Sequence, residues 1–435
     1  MKKALRKITV LIFFMLFFIL APLLIAYSLG YRYDFKTTSI QKNGAFYLKS
    51  YPRGADIFID AKKNKHKTPT QIVNILPGHH QLTVYKNNYV PWTKNLDVYS
   101  GETTFAEDIV LFLENRPKTS LGLGGEQLIL NNNKDKYVFI DTDNKLMITD
   151  VEQAKVYEIA ALEKSYKLID WSEDNQQILL RDENNTKNNY FSFDINQENL
   201  EAIPIVGANK MLWENNSQSL IYLKDNKLYR HYYNAILDSA DQIDELLDLK
   251  YDVNDFTIKN KWLITQYTYE KNNFVDQIDK NNLNIKQTIN NVNLGDLDVL
   301  LADDNNFIFT LGSKLYIKNI YKDLVTIPIT IVQLHDERLL MTNGHEIILF
   351  DYKADWQDLI DRSSSIVSDI FWHPNGSYFV SEINDSTTLT ELDSRDKRNN
   401  IELLNNPRKK SYVFDKKGER LFVLTPEENY YLTIQ

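Results

Sequence analysis

Asp170-Trp171-Ser172-Glu173-Asp174-Asn175, followed directly by the apolar run Gln177–Leu180 (QILL), is the stretch on which the fold turns. A Trp closes one short segment, a polar Asx-rich turn reverses the chain, and a second apolar segment begins. That is the pattern of a hairpin, not of a helix. The same shape returns at Leu212-Trp213-Glu214-Asn215-Asn216-Ser217 and at Phe371-Trp372-His373-Pro374-Asn375-Gly376. Leu301-Ala302-Asp303-Asp304-Asn305-Asn306 and Val413-Phe414-Asp415-Lys416-Lys417-Gly418 are eroded copies.

Working outward, eight apolar beats follow one another: Lys136–Ile140, Gln177–Leu180, Ser219–Leu223, Trp262–Thr265, Phe307–Thr310, Arg338–Met341, Tyr378–Val380 and Arg420–Leu424. Their starts are spaced by 41, 42, 43, 45, 31, 40 and 42 residues. Self-similarity near forty residues marks a β-propeller in which each blade is a four-stranded sheet. Eight blades over 127–435 is the reading, with seven as the alternative because the short fifth interval also fits a split blade. The turns resemble the W-S-P-D-G turn of TolB-like and WD40-like propellers. That resemblance implies that Trp171, Trp213 and Trp372 each cover the next blade and that Gly376 opens a hairpin. The chain has only 14 Gly, so Asn must fill many left-handed turn positions.

Upstream, period-2 alternation fills 44–113. Strands are expected at Ala45–Ser50, Ala55–Asp60, Gln71–Leu76, Gln81–Lys86, Asn95–Tyr99 and Ala106–Leu113. Pro52-Arg53-Gly54, Thr68-Pro69 and Pro77-Gly78 separate them. Ser50-Tyr51-Pro52-Arg53-Gly54-Ala55, Ile59-Asp60, Thr68-Pro69, Leu76-Pro77-Gly78-His79-His80 and Tyr89 together resemble a PEGA domain, a small antiparallel β-sandwich. The family is found as surface modules on exported or anchored proteins, and the resemblance implies a spacer or binding role without catalysis. Two family glycines are replaced, by Ala61 and Asn88. Glu114–Glu126, with Pro117, Gly122, Gly124 and Gly125, reads as a linker to the propeller.

At the N-terminus, a basic tip (1–7) with Lys2, Lys3, Arg6 and Lys7 precedes Ile8–Leu29, which holds no charged residue. Twenty-odd helical residues rising ~1.5 Å each cross a ~30 Å hydrocarbon core. Residues 8–30 are therefore expected to lie in the lipid bilayer, with the basic tip cytoplasmic and the rest exported. Tyr27, Tyr31 and Tyr33 fall at the outer interface. A cleaved signal peptide ending at Ala26 and Ser28 is the alternative. Residues 31–43 form a spacer. The formal net charge of −9 splits into four basic residues at the tip and −13 over the remainder.

Composition narrows the chemistry. With no cysteine, disulfides, thiolate metal sites and thiol nucleophiles are excluded. The acidic balance argues against nucleic acid as a partner. Seven scattered His give no zinc spacing, and no serine elbow, phosphate loop or dinucleotide fingerprint occurs, so neither catalytic residue, cofactor nor metal is assigned. His80 and His373 read as structural. Asp141–Asn144 and Asp303–Asn306 read as Asx turns, not calcium loops. Helical insertions are expected at Ser239–Leu247 and Asp355–Asp361, and the basic stretch from Arg395 to Lys410 reads as a solvated loop. The expected whole is a membrane-anchored, extracytoplasmic binding or scaffold protein of the bacterial cell envelope. Its partner is an envelope protein or wall polymer reached through the propeller face. A glycan-binding protein, or a hydrolase assembled across blades, is the alternative.

Overall fold

The computed structural model describes residues 2–34, 39–184, 189–214, 218–232, 243–246, 251–319, 322–405 and 410–435. The first element is helix α1 (Lys2–Ser28), whose span Ile8–Ser28 is long and apolar enough to cross a membrane and is not buried anywhere along its length. Pro22 sits inside it, as a bilayer helix tolerates. The other described elements are β-strands, and the chain divides into two compact units. The first holds Met1–Arg116, Thr390–Asn400 and Ile434–Gln435; the second holds Pro117–Leu389 and Ile401–Thr433.

In the first unit, β1 (Tyr31–Asp34) and β2 (Ser39–Lys42) form a hairpin within the expected spacer. Then follow β3 (Gly44–Tyr51), β4 (Asp56–Ile59), β5 (Lys62–Lys67), β6 (Thr70–Ile75), β7 (Gly78–Tyr85), β8 (Trp92–Val98) and β9 (Thr103–Val110). They make a three-stranded sheet, β6-β3-β9, and a four-stranded one, β5-β4-β7-β8. Alternation puts Phe46, Leu48, Ile57, Leu82, Val84 and Leu96 into one core at 2% exposure or less. Each such side chain contributes about 1.5–3 kcal/mol by burial. Strand β5 (KKNKHK) has no apolar residue and gave no sequence signal; it is a sheet edge, where lysines are at home.

Among the described residues, the second unit is a ring of eight four-stranded sheets. Blade 1 covers 125–161, blade 2 166–202, blade 3 210–245, blade 4 253–290, blade 5 297–328, blade 6 331–362 and blade 7 367–389 with 401–405. Blade 8 joins 411–433 to strand β10 (Lys118–Leu123), which pairs on the outside with Glu428–Thr433. The expected linker thus contains the strand that closes the ring, with the first and last strands of the propeller sharing one sheet.

All eight apolar beats are the second strand of a blade. Those strands are buried on both faces between neighbouring blades, as in Asn306–Leu311 and Arg338–Thr342, which explains their unbroken apolar runs. The short fifth interval is therefore a pair of complete four-stranded blades with tight connections, not a split blade. The outermost strands are exposed and polar, and two of them account for the expected helices. Trp356–Arg362 is the outer strand of blade 6, paired with Glu346–Asp351. Ile243–Glu245 is the outer strand of blade 3, paired with Tyr229–His231. A polar edge strand with scattered apolar residues mimics an amphipathic turn in sequence, and pairing with the blade decides otherwise. Ser239, Gln242 and Leu247 lie outside the described residues.

Candidate functional site

The turn residues singled out in the small unit hold its hairpins. Thr68 is buried, and its Oγ1 lies 2.6 Å from Ser50 Oγ and accepts the Ala55 N–H at 3.1 Å. Gly54 donates to the Thr68 carbonyl at 2.7 Å from a left-handed conformation, φ 78°. The Tyr51–Pro52 and Thr68–Pro69 peptides are cis. Pro77-Gly78 leads into β7, where His80 Nδ1 lies 2.7 Å from Asp60 and Nε2 lies 2.7 Å from the Leu76 carbonyl. Tyr89 packs on the core and bridges to Leu113. The two replaced glycines are left-handed as well: Ala61 at φ 62° and Asn88 at φ 70°.

Thr390–Asn400, with 395–400 expected to open a solvated loop, packs in this unit instead. Lys94, with no exposed side-chain surface, lies 3.2 Å from Glu391 and donates to the Asp393 carbonyl at 2.6 Å. Trp92 Nε1 donates to the other Glu391 oxygen at 2.8 Å, and Asn95 N to Asp396 at 2.7 Å. Arg395 binds Asp393 and the Phe105 carbonyl. Burial raises the Asp393 carboxyl, but the bonds from Arg395 and the charge of Lys94 outweigh it and hold the group below the usual carboxylate range. Arg408 and Lys409, from the same basic stretch, lie outside the described residues.

In the propeller, each Trp of the repeated turn ends the inner strand of its blade. Trp171 and Trp213 are buried; Gly376 is left-handed at φ 69°. The indole of Trp171 donates to the Ile129 carbonyl at 3.2 Å, and that of Trp372 to Gln333 at 3.2 Å. Both carbonyls belong to the preceding blade, not the next one. The inner strand is a sheet edge whose ring-facing carbonyls lack a strand partner, and the indole N–H supplies one. Turn-to-turn bonds continue around the ring: Asn132 N to Asn175 at 3.0 Å, Arg338 to the Gly376 carbonyl at 2.8 Å, His373 Nε2 to Gly418 O at 3.1 Å, and Arg420 to the Glu152 carbonyl at 3.0 Å. Burial pushes the His373 imidazole pKa down, which keeps it neutral in this structural role. Asp141 and Asp303 both accept N–H groups of their own turns.

Where the inner strands of blades 2, 3 and 4 end, a polar cavity of 340 Å³ opens, lined among others by Asp170, Glu173, Trp213, Glu214, Lys259 and Asn260. Glu214 is the best-held group. Arg230 reaches both its oxygens, at 2.8 and 3.0 Å, the Ser219 hydroxyl donates to it, and Lys280 lies 3.9 Å away. Burial pushes the Lys280 ammonium pKa down, opposed by the Glu214 charge. Asp170 accepts the Trp171 N–H at 2.9 Å; although part of its surface stays open to the cavity, burial raises its carboxyl to about 6. The cavity therefore offers one fixed carboxylate and one carboxyl that changes charge near neutrality. Sequence reasoning kept Trp171 and Trp213 from this site but missed Asp170 and Glu214, which flank them in the repeat. A second cavity of 340 Å³ opens at the opposite ends of blades 1 and 2, beside Glu126, Asp141, Tyr166 and Glu183.

Residues 44–108 match the PEGA domain family. No curated protein matches the chain. The C-terminal WD40 domain of Sif2 superposes with a TM-score of 0.50 at 12% identity, over 73% of this chain and 98% of that one. The Dos1 propeller gives 0.49 at 14% identity over 73% and 94%. An oligogalacturonate lyase from Vibrio parahaemolyticus gives 0.42 at 10% identity over 71% and 98%. At such identities the likeness defines the fold alone. The chain is thus an apolar N-terminal helix that fits a membrane anchor, a PEGA domain, and a WD40-like β-propeller.

Proposed function

We propose that this chain is a membrane-anchored, extracytoplasmic binding or scaffold protein of the cell envelope that engages its partner through the propeller. The observation that carries the reading is α1: its span Ile8–Ser28 is wholly unburied against the rest of the chain, so it needs an apolar surrounding. Four basic residues precede it and favour a cytoplasmic N-terminus. A PEGA domain and a propeller are both frames for loops and turns, which supports binding over turnover. Protease added to intact cells, or to spheroplasts where an outer membrane intervenes, should digest the propeller. A fully protected propeller overturns the orientation. Crosslinking on the same cells should then capture an envelope protein or a wall polymer.

A second reading has one observation in its favour. Asp170, raised to about 6, shares the blade 2–4 cavity with Glu173 and Glu214, and paired carboxyls of unlike character serve hydrolases. An Asp170→Asn variant that captures the same partner as the parent chain rejects this hydrolase reading if no turnover of that partner is seen with either.

A further inference from the structure

One end of the small unit carries an exposed surface that is partly apolar and partly basic. Asn43 donates to the Gly30 carbonyl at 2.9 Å, so the β1–β2 hairpin leaves and rejoins the chain just beyond α1. Arg32 fixes where that point lies. Its guanidinium stands 3.5 Å over the Tyr27 ring of the helix and donates to Asn74 Oδ1, on β6, at 3.2 Å. Ser100 Oγ donates to the Lys42 carbonyl at 3.0 Å. The connections at 43, 75–77 and 99–102 therefore gather at the C-terminal end of α1.

Their tips are apolar and open. Leu76 is 39% exposed and Tyr99 60%, beside Tyr31 at 41% and Ile40 at 68% on the hairpin. Lys42 and Lys62 are exposed at the same end, Lys62 following the Asp60-Ala61 turn that His80 ties to Leu76. Charge divides the same way along the chain. Residues 31–116 hold 12 Lys+Arg and 8 Asp+Glu, net +4, whereas 117–435 hold 34 and 51, net −17.

We propose that this end of the small unit lies in the headgroup layer of the bilayer that α1 spans. Leu76, Tyr99, Tyr31 and Ile40 enter its apolar boundary, and Lys42 and Lys62 meet lipid phosphates. The proposal rests on reading α1 as a retained anchor. Tyr rings suit this depth because they pair an apolar body with a polar tip. Each basic side chain near an anionic surface contributes about 1 kcal/mol. A unit already tethered by α1 has a high effective concentration at the surface, so a few contacts suffice. The acidic propeller meets the opposite electrostatic term, which leaves the basic unit as the part suited to an anionic face.

The cysteine-free chain allows a direct test. Single variants Phe17→Cys, Leu76→Cys, Tyr99→Cys and Lys86→Cys of the full chain are labelled with an environment-sensitive fluorophore. They are reconstituted in vesicles of phosphatidylcholine and phosphatidylglycerol carrying a shallow or a deep spin-labelled lipid. Lys86, bonded to the Arg53 carbonyl, is the control away from the helix. Labels at 76 and 99 should be quenched by the shallow lipid several-fold more than the label at 86, and the label at 17 by the deep lipid. Quenching at 17 with 76 and 99 no better than 86 overturns the proposal and leaves the anchor standing. No quenching at 17 overturns the anchor, and the proposal with it. Labels at 76 and 99 shielded from aqueous iodide but not reached by lipid overturn it in favour of a protein contact.

Discussion

The small β unit and the propeller are both made of short, mostly antiparallel strands, yet they are specified in different ways. The small unit relies on single residues with single places: Thr68 between Ser50 and Ala55, His80 between Asp60 and Leu76, and Lys94 sealed against Glu391. The propeller relies on repetition. Each second strand brings the same buried run, and clusters such as Val138 and Ile148 of blade 1 with Leu168 and Leu180 of blade 2 join one blade to the next. A fold built on unique contacts keeps a sharp motif; a fold built on a repeated one tolerates erosion of any copy.

Five variants sharpen or break that contrast. Lys94→Met should be the most damaging, about 3–5 kcal/mol, because it strands Glu391 as a buried charge without its cation. Hydrogen exchange should show the loss in β8 and in 390–400; unchanged protection there would mean that the small unit does not depend on this pair. Leu180→Ala, in a fully buried second strand, should cost about 2–5 kcal/mol. Its effect should spread across blades 1 and 2 in the same measurement, since the cluster spans both. An effect confined to blade 2 would argue against blade-to-blade packing as the source of propeller stability.

Asp170→Asn tests the cavity through pH. The Asp170 carboxyl is raised from 3.8 to about 6, so the folded state holds its proton more tightly than the unfolded one. Stability from this group is therefore present below pH 3.8 and is lost as pH rises to 6. Above pH 6 the ionised carboxylate costs about 1–2 kcal/mol once residual solvent contact is allowed for. The Asn variant should melt higher than the parent at pH 8 and lower its own pH dependence between 4 and 6. A parent with no such slope would refute the raised carboxyl. The two smallest effects are at left-handed turn positions, the larger of them at Ala61→Gly. Removing Cβ from a left-handed residue at φ 62° should stabilise the small unit by about 1 kcal/mol, read by denaturant midpoint. Asn88→Gly, at φ 70°, should change it less, since Asn tolerates that conformation.

Legibility followed burial. Second strands such as Arg420–Leu424, apolar on both faces, were readable one by one, and their spacing gave the blade period. Asn144, Asn175, Asn226, Asn260 and Asn384 take the positive-φ positions that a glycine-poor chain must fill, as composition required. What escaped were exposed edges: β5 with only polar residues, β10 in a glycine-rich stretch, and Trp356–Arg362, whose pattern mimics a helix. An edge strand is held by one neighbour's backbone, which leaves its side chains little reason to carry a signal. The cavity escaped for another reason. Asp170 and Glu214 stand beside the motif tryptophans in sequence, but only the ring brings the ends of three blades around one space.

The sequence by itself determined the apolar helix, the PEGA turns and the blade period. Each follows from local composition, from the turn chemistry of a few residues, or from a repeat of buried runs. Tertiary structure alone decided which strand closes the ring, that Thr390–Asn400 belongs with the small unit, and which carboxylates share a cavity. Those outcomes join residues hundreds of positions apart, such as Lys94 with Glu391 and Lys118 with Glu428, and distance along the chain leaves no periodic trace of such pairings.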